Sequence, residues 1–445
     1  MNAASFIGWL DSDSVAQDRI SELLRAFDEP GTLDSLGFGT IRDTLAEAIA
    51  PGVSTIQTRL RYFLFIPWIC RHVEHEGWRA PFDHRLRHYE AKLIERLRHL
   101  GPNNGVIGYQ SGRDLKRMPS SAYWAGLRAW GIRMPASHDD MSMRRYGALV
   151  EQRQRRRAGV DDRELIRSPQ RLWAELPPPP AGFLAEPASM QLTAEEASWL
   201  LDKLQSSQQT QSSPLAVAAA FACGTADAAA ASEWALPWHV PAQISGQHLK
   251  DQQRELLRHA RCVSDVTYGP QVLYNLLLAE LASSTSDGDS LVDTADERID
   301  RWNEELAAWA DDVSQPSAAQ RLRYWFGQIN DPNGLWAFLE RLRGRPINPH
   351  TKSFVNDLAR RAVESPGELA GNPEIRTRIT DREAVLKGAR ARLGNRQGPL
   401  AAWIEGGQPF MGGRLDYRWP IVNRYLVDLA EAGVSTPVTS NGRDS

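Results

Sequence analysis

Apolar and polar positions follow a helical period along most of the chain, and the pattern is densest from Gly37 to Gly77. Thr44, Leu45, Ala48 and Ile49 give a first short helix its stripe, and Pro51-Gly52 ends it. Ser54 stands where a cap is expected for a second helix carrying Ile56, Leu60, Phe63, Leu64, Ile66, Trp68 and Ile69. A helix apolar on nearly every side must be buried, so neighbouring elements pack around it. Pro67 removes one backbone donor and frees the Phe63 carbonyl, which predicts a kink. Two arginines, Arg59 and Arg61, interrupt this apolar run. One reading packs their stems and pairs their heads with Asp43, Glu47 or Glu74. The other turns Arg59, beside Gln57 and Thr58, toward a ligand phosphate, because a guanidinium forks onto phosphate oxygens. Buried arginines are usually paired, which favours the first.

The same periodicity places further helices. Phe82–Leu100 is amphipathic, with Leu86, Tyr89, Leu93, Leu97 and Leu100 inward and Arg85, Arg87, Lys92, Arg96 and Arg98 outward. Val106–Tyr109 reads as a strand, as does the opening Ser5–Leu10. Ser120 or Ser121 caps a short helix with Tyr123, Trp124, Leu127 and Trp130. Thr193 and Glu196 form a capping box for the helix TAEEASWLLDKL. Gln247–Ala282 reads as two helices around Tyr268-Gly269-Pro270. Later helices are anchored by Trp302, Trp309, Trp325 and Trp336, and a strand leads into a terminal helix from Pro420 to Glu431. The expected fold is mainly α and multi-helical, in two or three domains with a few short strands. Composition places a basic helical domain at 1–176, a Pro-rich linker at 177–190, a helical middle domain at 191–365, a basic segment at 366–434 and a disordered tail at 435–445.

Charge changes this picture more than composition does. The chain of 445 residues has a net charge of −3, yet Arg59 to Arg171 carries +11 and Gly371 to Arg424 carries +5, so the rest carries −19. Such asymmetry points to a polyanion partner for the basic part, or to docking of one part on another. The run GRDLKRMPSSAYWAGLRAWGIR combines a short helix, aromatics and basic flanks, as a small DNA-binding module does. Nucleic-acid contacts are therefore expected from Arg59, Arg113, Lys116, Arg117, Arg128, Lys387 and Arg390. On one helix, Lys387 and Arg390 share a face, with Leu386 and Leu393 on the opposite, buried side. Three widely spaced cysteines, Cys70, Cys223 and Cys262, suit a reducing cytoplasm and form no disulfide framework. No apolar run is long enough to cross a membrane, and the N-terminus lacks the basic region of a signal peptide.

Chemistry-bearing motifs are sparse. His72/His75 and His84/His88 are paired at helical spacing and could ligate a metal with Glu74 or Glu90, but the basic surroundings disfavour a cation. No metal and no cofactor is expected. The Arg–His spacings Arg79–His84, Arg133–His138 and Arg254–His259 match a pattern of helical ribonucleases only as often as chance allows in an Arg-rich chain. Gly37-Phe38-Gly39-Thr40 before a helix reads as an anion cradle or, more often, a tight turn. Phosphate-loop, dinucleotide and nucleophile-elbow motifs are absent from the sequence. SFIGWLD, PGVSTIQTRLRYFLFIPW, RMPSSAYWAGLRAWGI, LKGARARL and LDYRWP resemble an uncharacterised bacterial family over most of the chain. Some of its members occur near helicase-like and phospholipase-D-like genes in phage-defence neighbourhoods, so the resemblance implies a context and assigns no catalytic residue. The expectation is a cytoplasmic, non-enzymatic, nucleic-acid-associated accessory protein, with other protein subunits as further partners and no membrane. The alternatives are a nuclease with a His/acidic site around 72–99 and a protein-interaction scaffold.

Overall fold

The computed structural model describes residues 34–433 apart from 78–79, 135–140, 160–170, 241–242, 245–246, 286–288, 395–399 and 401–412. The expected arm at Ser5–Leu10 and the tail at 435–445 lie outside the described residues. The architecture is mainly α. Its helices are α1 (Gly39–Ile49), α2 (Tyr62–His75), α3 (Phe82–Leu97), α4 (Pro119–Ala129), α5 (Met143–Gly159), α6 (Ala194–Ser206), α7 (Pro214–Thr225) and α8 (Ala228–Ser232). They continue with α9 (Asp251–Thr285), α10 (Asp289–Ser314), α11 (Pro316–Gly327), α12 (Leu335–Arg343), α13 (Pro349–Glu364), α14 (Pro373–Lys387) and α15 (Trp419–Glu431). Between α8 and α9, β1 (Gln243–Ile244) pairs antiparallel with β2 (Gln247–His248). The strand expected at 106–109 is a succession of turns, and 413–418 is irregular up to the start of α15.

Two compact units emerge, and each is assembled from separated stretches of chain. The larger comprises Thr40–Tyr268, Val313–Glu364 and Gly413–Ser445; the smaller comprises Met1–Gly39, Gly269–Asp312 and Ser365–Gly412. Residues 177–190 fall inside the larger unit. There Phe183 stacks on Phe65 at 6.0 Å, Trp68 donates to the Pro177 carbonyl and the Ala188 amide donates to Arg96. The segment is thus anchored to α2 and α3 at Pro177, Phe183 and Ala188, while Pro178 to Pro180 are exposed.

The core of the larger unit is built around α2, whose residues Tyr62 to Cys70 are all buried. Phe63 stacks on Trp130 at 4.1 Å and meets Tyr123 and Tyr425 edge-on. Such geometry adds to burial because ring edges are positive and faces negative. Gly126 on α4 is what lets this happen: a β-carbon there would sit 2.7 Å from the Gly52 carbonyl and 2.9 Å from the Phe63 ring. The expected start of α2 at Ser54 is corrected by the structure, since residues 54–61 are irregular and the helix begins at Tyr62. Buried side chains outcompete the helical ladder for these backbone groups. Tyr123 Oη accepts from the amides of Thr58 (2.9 Å) and Arg59 (3.1 Å) and donates to the Arg59 carbonyl. Asp428 on α15 accepts the Leu60 amide at 2.9 Å, and Tyr425 donates to Gln57.

The capping box at Thr193 and Glu196 forms as expected. The expected break at Gly269-Pro270 does not form: α9 runs through it as one helix of 35 residues. Pro270 costs one ladder bond, but neither flank of the helix ends there. Within the smaller unit, a β-carbon on Gly269 would fall 2.5 Å from the Trp309 ring, so glycine is what admits this close packing.

Candidate functional site

The described sequence-predicted residues divide into buried and surface groups. Arg59 is buried and paired with Asp428, Nη2 to Oδ1 at 2.7 Å and Nε to Oδ2 at 3.1 Å. Arg61 is buried on Glu196 at 2.7 Å. Both are paired, as the first reading expected, but with partners far along the chain rather than Asp43, Glu47 or Glu74. The expectation that Arg59 faces a phosphate is therefore corrected. Lys387 is also buried, between Glu383 at 3.4 Å and Ser35 Oγ at 2.5 Å. Burial and Arg392 push its amine down to about 8. α14 ends at Lys387 and Gly388 turns the chain, so Lys387 and Arg390 do not share a helical face. Leu386, expected inside, is exposed, while Arg390 is on the surface.

Arg113, Lys116 and Arg117 are exposed, and Arg128 is half-buried. Arg113 pairs with the exposed Glu95 at 3.0 Å. The neighbouring α4 is no protruding recognition helix, because Tyr123 and Leu127 on it and Trp130 just after it are fully buried. Its N-terminus is capped from outside by Glu90, whose buried carboxylate accepts the Ser120 amide at 2.6 Å. Burial pushes the Glu90 carboxyl up to about 7. Gly37 and Gly39, candidates for an anion cradle, donate their amides to Asp34, which makes them a tight turn.

Where α2, α5 and the segment 171–176 meet, the described residues line a cleft of about 410 Å³. The end of α2 is closed by buried side chains. Gln154 donates to the carbonyls of Val73 and Glu76, both at 2.8 Å, and accepts from Arg85 at 2.7 Å. Arg85, expected outward on α3, is thus inward because the carbonyls at a helix end need donors. The segment 171–176 is fixed by pairing of Trp173 with Arg133, by Ala174 donating to Ile132, and by Trp199 donating to the Glu175 carbonyl.

Buried Val150, Leu172, Trp173 and Leu176 form the apolar floor of the cleft. Exposed Arg71, His75 and Arg171 and half-buried Arg153 stand at its mouth. Among the described residues none of these three arginines takes part in an ion pair, in contrast to Arg59 and Arg61. His75 Nδ1 donates to the Arg71 carbonyl at 2.6 Å, which leaves Nε2 outward. Glu74 is held rigidly: Oε1 accepts from Tyr146 and, at 2.9 Å, from Trp173 Nε1. Burial, with Cys70 and Glu74 close by, raises the Tyr146 pKa well above its ordinary value, so Tyr146 remains a donor. No group of three or more His, Cys, Asp and Glu among the described residues could hold a metal ion. Sequence reasoning passed over Arg71, Arg153 and Arg171, although the +11 segment contains them all.

The model of a family of unknown function, DUF6361, matches residues 4–433. The chain belongs to that family. No curated protein and no solved structure matches it. No described helix is long and apolar enough to cross a membrane.

Proposed function

We propose that the chain is a nucleic-acid-associated accessory protein with no catalytic activity of its own, working beside other subunits in a bacterial phage-defence assembly. One observation carries this reading: three arginines converge on one cleft without an ion pair among the described residues, while core arginines are neutralised. An unneutralised guanidinium is available to a phosphate, which it can bind through two parallel hydrogen bonds. Exposed Lys116 and Arg117 add cations in the same unit, and a polyphosphate gains from contacts with them through counterion release.

The test is a gel-shift series on labelled DNA and RNA from low to physiological salt. Binding that weakens steeply with salt is expected, and absence of any shift at low salt with micromolar protein would overturn the reading. Incubation of the same probes with Mg²⁺, Mn²⁺ or Zn²⁺ separates it from a nuclease using Glu74 and His75, since cleavage would make the protein an enzyme. A pull-down with nuclease treatment asks for the partner subunits, which should remain bound after the nucleic acid is digested.

A further inference from the structure

We propose that the cleft receives one unpaired nucleotide of a single strand, with its phosphate on the arginines and an amino-bearing base against Glu74. This deepens the nucleic-acid reading and rests on it. The depth profile of the cleft supplies the argument. Arg71, Arg171, His75 and Glu175 are exposed at the mouth, the floor is apolar, and half-buried Glu74 and Arg153 line the cleft with them. Oε1 of that carboxylate is occupied by Tyr146 and Trp173, whereas Oε2 has no donor among the described residues. Half-buried Glu74 pairs with none of the three arginines among the described residues, so its second oxygen is left for a ligand, while Glu175 is exposed. A purely anionic ligand would be repelled at this depth, and a purely apolar one would leave the carboxylate unmatched. A nucleotide combines an anion, a flat apolar ring and, in cytosine, adenine and guanine, an amino donor for a carboxylate. In thymine the one ring N–H lies between two carbonyl oxygens, which a carboxylate repels. A space of about 410 Å³ admits one base and no duplex, and an unstacked base is cheapest to present from a single strand.

The experiment measures fluorescence polarisation of short labelled oligo(dC), oligo(dA) and oligo(dT), and of a mixed-sequence duplex, on the full chain. Oligo(dC) and oligo(dA) should bind about tenfold more tightly than oligo(dT), the discrimination expected of one good base contact. The duplex should bind more weakly than its own single strand. Glu74→Gln keeps an acceptor for Tyr146 and Trp173 but also offers an amide donor. It should equalise the three oligonucleotides without changing the salt slope. Arg171→Glu should weaken all three equally and flatten the slope. Should Glu74→Gln fail to fold, the comparison of bases on the unaltered protein still decides. Equal binding of oligo(dC) and oligo(dT) by the unaltered protein overturns this inference and leaves nucleic-acid binding standing. Absence of binding to every probe at low salt overturns both.

Discussion

Glu90→Gln should stabilise the folded chain at pH 8 and do far less at pH 5. Glu90 is fully desolvated on α3, and its carboxyl titrates at about 7 in the fold against 4.5 ordinarily. Between those values the folded chain holds a proton that the unfolded chain has released. Stability from this group is therefore greatest below pH 4.5 and falls as pH rises through 7. A shift of this size corresponds to about 3 kcal/mol, most of it lost between pH 5 and pH 8. Glutamine carries no charge to desolvate and keeps an oxygen for the Ser120 amide, so it escapes the loss while the cap on α4 persists. Urea unfolding of both proteins at pH 5 and pH 8 measures the difference directly, because other titrating groups cancel in the comparison. The reasoning is refuted if both proteins lose stability equally between the two pH values, or if Glu90→Gln is the less stable at pH 8.

Leu64, fully buried on α2, should cost about 2–5 kcal/mol as Leu64→Ala, read from the shift in denaturant midpoint. Arg59→Met removes the nearest counter-charge of buried Asp428, leaving Arg424 at 3.9 Å, and should cost about 3–5 kcal/mol, whereas an unchanged melting temperature would show the pair to be dispensable. Gly269→Ala ordinarily favours a helix by about 1 kcal/mol, but here the added carbon meets Trp309, so a net loss of about 1–3 kcal/mol is expected in thermal melting. Arg71→Glu, Arg153→Glu and Arg171→Glu together should leave melting nearly unchanged and reduce the salt slope of nucleic-acid binding by about one unit per lost phosphate contact.

What the sequence makes legible is local. The capping box at Thr193, the Trp anchors of α10 to α12 and the apolar run of α2 all rest on residues a few positions apart, where period and capping chemistry act. The irregular segment 54–61 is illegible because its donors are satisfied by Tyr123 and Asp428, which no local pattern connects to it. Lys387 misled because its spacing from Arg390 suggests a surface pair, whereas it is held inward by buried Glu383 one turn back and by Ser35, 352 residues away. The cleft was hidden because Arg71, Arg153 and Arg171 belong to three elements, and only the packing of α2, α5 and segment 171–176 brings them together.

The pairing of Arg59 with Asp428 spans 369 residues, and this separation has a consequence for synthesis on the ribosome. At about 5–20 residues per second, roughly 20–70 s pass between emergence of the two partners. Throughout that interval the nascent segment 54–61 lacks the acceptor for its Leu60 amide and the counter-charge for Arg59. The entry to α2 can close only when α15 arrives, so a stretch made 369 residues later completes a structure already begun. A chain arrested before Trp419 should therefore remain open to protease at 54–61, and release of the full-length product should abolish the cut.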